Sequence, residues 1–112
     1  MKKTLVIVFI ALLYHCQGMA QSNSGEALAG SIAQKMKDSL ALTSMQKDSI
    51  YAINLRLLEQ KTTVRQQYTD SIALQYQLQR VERLRDSLYR PVLGEDKYPL
   101  YKIKKRNLLT AN

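Results

Sequence analysis

The sequence predicts an all-α protein, and three observations carry that prediction. No Gly or Pro interrupts the chain from Ser31 to Arg90. That stretch is rich in Leu, Gln, Lys and Arg, which favour helix. Apolar residues recur at helical spacing, and no alternating strand pattern occurs anywhere. The architecture expected is a short N-terminal helix, a long helical hairpin and a short C-terminal helix.

The chain starts with a different kind of segment. Met1-Lys2-Lys3 is a short positive start, and Leu5 to Leu13 is a nearly unbroken apolar run. Gly18-Met19-Ala20 places small residues where a signal peptidase reads them, so residues 1–20 read as a signal peptide cleaved near Ala20. The run is too short to cross a bilayer, which takes about 20 residues. Tyr14 and His15 precede Cys16 where a lipoprotein signal needs small residues. Export implies a periplasmic location. Residues 21–30 are expected to form a flexible leader, 31–106 the helical domain and 107–112 a tail.

Within the domain, Leu28, Ile32, Met36 and Leu40 lie four apart and predict a first helix ending near Ala41-Leu42. Thr43, with Gln46 three residues on, forms a capping box. The hydroxyl accepts from the backbone at Gln46, and the Gln46 amide reaches back to Thr43 N–H. The helix that follows carries two apolar faces. Ile50, Ile53, Leu57, Val64 and Tyr68 form one; Tyr51, Leu55 and Leu58 form the other. A helix buried on two sides in so small a protein points to a homodimer or an intertwined assembly, with the centre of a small bundle as the alternative.

The hairpin corner is expected between Lys61 and Asp70. Thr63 to Gln66 repeats the capping spacing there, and Thr69-Asp70 offers a second cap. Beyond it, Leu74, Leu78, Val81, Leu84 and Leu88 make an apolar stripe, with Ile72, Tyr76, Arg80 and Arg83 on the opposite side. Such a face can bind varied partners, because stems pack, rings stack and guanidinium groups pair; it also fits an ordinary solvated surface. Pro91 is expected to stop this helix. Leu93-Gly94-Glu95-Asp96 then reads as a turn, and Tyr98, Leu100, Tyr101 and Ile103 as a last helix ending in Lys104-Lys105-Arg106.

Little catalytic chemistry is expected. Cys16 and His15, the only Cys and the only His, both fall in the signal segment. The remainder has no thiolate and no imidazole, so triads and ordinary zinc sites are excluded and no enzyme is expected. No Gly-rich phosphate loop or dense acidic cluster is present, so no cofactor or metal is expected. Asp-Ser precedes an aliphatic residue four times, at Asp38, Asp48, Asp70 and Asp86, and reads best as helix-start or wet-face chemistry. The formal charge of +8 falls by two once Lys2 and Lys3 are removed. In an exported protein the surplus points to acidic clients or an anionic membrane surface, and no nucleic-acid motif accompanies it. The cluster at Lys102, Lys104, Lys105 and Arg106 also fits a soluble end complementing a helix C-terminus.

Leu42-Thr43-Ser44-Met45-Gln46 resembles the Leu-Thr-x-x-Gln signature of the Spy/CpxP-type periplasmic family. The order of elements resembles that family too, from about Ile32 to Arg106. Leu93-Gly94-Glu95-Asp96-Lys97 stands where the family repeats the motif, with Gly for Thr and Lys for Gln. The resemblance implies a cradle-like dimer of intertwined hairpins. It also implies ATP-independent binding of unfolded or partly folded proteins, or regulation of an envelope-stress sensor kinase. A histidine-bearing subgroup binds metals, which this chain does not match after export. A structural envelope protein held on anionic lipid is the third expectation.

Overall fold

The computed structural model describes residues 25–110, and the signal-peptide expectation at 1–20 lies outside them. Among the described residues the chain is all-helical. Helix α1 covers residues 25–40, α2 Ser44–Gln67 and α3 Ser71–Leu109. The radius of gyration is 18.2 Å, with extents of 61 × 39 × 25 Å. A compact chain of this size has a radius near 12–13 Å, so the molecule is elongated.

Two domain boundaries move. Residues 25–30, expected within a flexible leader, are helical, and Ala29 is buried. Small residues there admit close approach of α2: Gly30 faces the Tyr51 ring, and a side chain at Gly25 would collide with Leu58. At the other end, the expected tail at 107–112 starts inside α3, because Leu108 is buried and anchors the last turn.

The apolar face of α1 packs as its spacing predicts, with Ile32, Met36 and Leu40 buried and Leu28 at the margin. Burial of a side chain such as Met36 or Ile50 contributes about 1.5–3 kcal/mol. The helix ends in a Schellman arrangement, in which Leu42 N–H donates to Lys37 O at 3.1 Å. Ala41 occupies the left-handed position there (φ 53°), which usually falls to Gly. Both faces of α2 find partners within the chain. Ile50 and Leu57 are buried in the core, while Tyr51 and Leu58 meet α1, so the second face does not by itself call for another copy.

The corner falls at residues 68–70, with Asp70 capping α3 through its carboxylate and Ala73 N–H at 3.0 Å. The alternative start at Thr63 does not form. Thr62 and Thr63 instead donate to the carbonyls of Leu58 and Glu59, one turn back. Pro91 does not stop α3, which continues through the buried Leu93; the break comes at Gly94 (φ 78°, ψ 171°). Pro91 is exposed, and its missing N–H deprives only the carbonyl one turn earlier, close to the helix end. Gly94 takes a φ that costs other residues about 1 kcal/mol or more.

The buried stripe of α3 is rotated from the expected one. Val81, Arg85, Tyr89 and Leu93 are buried, whereas Leu74, Leu78, Leu84 and Leu88 are half-buried. Tyr89 is inside because a polar relay receives it. Its hydroxyl donates to Asn54 Oδ1, and Asn54 Nδ2 donates to Ala29 O at 3.2 Å, joining all three helices through the core. Tyr101 stacks edge-on against Tyr89 with centroids 5.1 Å apart. It also donates to Asp86 at 2.8 Å.

Candidate binding surface

Two loops are tied together at one end of the molecule. At the first, Thr43 Oγ1 accepts from Gln46 N–H (3.1 Å) and Gln46 Oε1 accepts from Thr43 N–H (2.9 Å). Leu42 is buried beside them. The spare hydrogens of the Gln46 amide reach the second loop, where Nε2 donates to Val92 O at 3.0 Å. In return Lys97 Nζ donates to Ala41 O. Each motif thus sends its fifth residue to the carbonyl just before the leucine of the other. In the second loop Leu93 is buried, as Leu42 is in the first, and Lys97 supplies the reaching donor.

The basic end of α3 is likewise drawn into the structure. Asp86, one of the four Asp-Ser acids, receives Tyr101, Lys102 (3.1 Å) and Lys105 (2.9 Å). Burial works to raise its pKa, but the hydrogen bonds from Lys105, Tyr101 and Lys102 outweigh burial and hold it below the usual carboxylate value. Lys104 Nζ donates to Ser39 O at 3.1 Å, at the C-terminal end of α1, where a cation complements the helix dipole. Of the cluster Lys102, Lys104, Lys105 and Arg106, the three lysines therefore have structural partners.

The opposite end of the molecule differs. No residue from 58 to 80 is buried, although this arm carries Leu58, Val64, Tyr68, Ile72, Leu74, Tyr76 and Leu78. On it Ile72 is 80% exposed and Tyr76 55% exposed. Arg80 and Arg83 continue the same stripe, both exposed. Arg80 also forms one wall of an open trough of about 770 Å³ between α2 and α3, with Arg56, Gln60, Val64, Gln77 and Leu84. The four residues singled out in the sequence therefore lie together on the arm. Of the trough residues contributed by α2, Val64 lay on an expected apolar face, while Arg56, Glu59 and Gln60 had no binding signal of their own, because a polar wall shows only once the helices are paired.

Among the described residues, no group of three His, Cys, Asp or Glu converges as a metal site would, and no helix is long and apolar enough to cross a membrane. Comparisons with family models, curated proteins and solved structures returned no match for the chain.

Proposed function

We propose that this is an exported helical protein that binds unfolded or partly folded proteins without ATP, using the hairpin arm at residues 58–80, Arg80 included, and the adjoining Arg83. The observation that carries the reading is an arm of two helices joined at 68–70 that has apolar side chains and no buried residue from 58 to 80. An unaided helical pair of this kind is weakly stabilised, since most helical stability comes from packing. A partner that covers Ile72 and Tyr76 gains apolar burial, while Arg56, Arg80 and Arg83 attract acidic segments over longer range. Contacts of this sort are shallow and exchange quickly, which suits clients of varied sequence. The resemblance of Leu42–Gln46 to the Spy/CpxP-type motif supports the same reading, and a homodimer that pairs two arms is part of it.

The test is aggregation suppression. The purified protein should slow aggregation of a chemically denatured client at near-stoichiometric ratio, and R80E/R83E should weaken this several-fold with unchanged helicity by circular dichroism. Absence of suppression at a large excess of protein refutes the proposal. So does equal suppression by the double variant, for the part assigned to the arginines.

A further inference from the structure

A second cavity, sharing no residue with the arm stripe or its trough, opens among α1, α2 and the last turns of α3 and encloses about 640 Å³. Its size lies within the range of ordinary small-molecule sites. Leu28, Ile32, Leu58 and Leu109 give it apolar walls. Lys61, Arg85, Lys102, Lys105 and Arg106 also line it, against a single carboxylate, Glu82. Glu82 is already engaged by Lys61. The two other lysines are held by Asp86, outside the lining set.

Arg85 makes the cavity more than a basic groove. Its side chain is only 9% exposed, so it is more than nine-tenths buried. Its Nη1 stands 3.6 Å from Glu82 Oε2, beyond hydrogen-bond range, and its Nε is buried with no acceptor at all. The Nε–H is thus a buried donor without an acceptor and the charge faces only the long Glu82 pair, whereas buried polar groups in native proteins nearly always have a hydrogen-bond partner. An anionic oxygen would complete the bonding and the charge of Arg85 together, and the apolar walls suit hydrocarbon.

We propose that this cavity binds a small anionic amphiphile, an aliphatic chain ending in a carboxylate or a phosphate ester, with its head on Arg85 and Arg106 and its chain against Leu28, Ile32, Leu58 and Leu109. Charge complementarity sets the head, because the cationic lining exceeds the single acid. The apolar walls set the tail. The cavity therefore discriminates against a free inorganic anion, which leaves the walls wet, and against a neutral alcohol, whose hydroxyl can accept from Arg85 but brings no charge to pair with it.

Calorimetric titration of the purified protein with sodium dodecanoate and with dodecyl phosphate, each below its micelle concentration, tests this. Dodecanol and inorganic phosphate serve as comparisons. One saturable site per chain is expected for at least one of the two anionic amphiphiles, with dodecanol and inorganic phosphate about tenfold weaker or more. R85M, which keeps the volume, and R106Q, on the exposed rim, should each weaken binding several-fold. K47Q, which removes a charge away from the cavity, should leave it unchanged. Where R85M proves unfolded by circular dichroism, R106Q decides. The proposal is overturned by absence of saturable binding of both amphiphiles or by equal binding of dodecanol, which signals adsorption alone. Equal binding of inorganic phosphate, which signals a simple anion site, also overturns it, as does a loss in K47Q matching that in R106Q.

Discussion

Changing Tyr89 to Phe removes one oxygen from the centre of the protein and leaves Asn54 Oδ1 buried without its donor. Tyr89 is wholly buried and Asn54 is 5% exposed, so water does not readily replace the lost partner. An orphaned buried acceptor costs about 1–3 kcal/mol. Asn54→Leu does the converse, leaving the Tyr89 hydroxyl without an acceptor at a similar cost. Ala29 O, the third member of the relay, belongs to a helix and loses less. The double variant carries neither group and places a Leu against a Phe ring. Its stability should return to within about 1 kcal/mol of the parent, giving a coupling of about 1 kcal/mol or more. Urea unfolding followed by circular dichroism measures all four corners of the cycle. In thermal melts each single variant should fall by about 4–8 °C per kcal/mol lost. Single changes that add to within about 0.5 kcal/mol would refute the relay as the element joining the three helices.

Two further expectations concern the backbone and the titrating groups. Ala41→Gly should stabilise the protein by about 0.5–1 kcal/mol in the same unfolding assay, because the left-handed φ of 53° strains Ala more than Gly. On pH, burial pushes the Tyr89 phenol up to about 12 from 10.0, so the folded form holds its proton more tightly than the unfolded one. The stability it contributes is complete below pH 10 and disappears as pH rises through about 12, a loss of about 2–3 kcal/mol. Asp86 has the opposite sign: its lowered pKa contributes stability above the ordinary carboxylate range that is lost on acidification. Unfolding midpoints should therefore decline at both extremes, the alkaline limb flattening in Tyr89→Phe.

The helices, the Thr43 cap and the corner window were legible because each rests on local chemistry. Apolar spacing, a hydroxyl three residues before an amide, and an Asp ahead of an apolar run all act within one or two turns. The rotation of α3 was not legible. Tyr89 is buried through a partner far along the chain, Asn54, and a hydrophobic pattern gives no weight to a residue whose place depends on a distant hydrogen bond; the burial of Arg85 has no such signal either. The break at Gly94 was misplaced by three residues because Pro91 is the stronger local signal, while the buried Leu93 holds one more turn in the helix. The candidate face was partly readable. Ile72, Tyr76, Arg80 and Arg83 share a side of one helix by spacing alone, but the trough beside them requires the second helix of the pair.

The exchange between Gln46 and Lys97 gives the molecule the mechanics of a pair of tweezers. Its fastening binds 41–46 to 92–97, at the end away from the corner at 68–70. Twisting of the arm, whose two helices stay joined at 68–70, disturbs none of those bonds and exposes no buried side chain from 58 to 80. Amide hydrogen exchange would register this as slow protons around Ile50 and Leu93 and fast ones from 62 to 80.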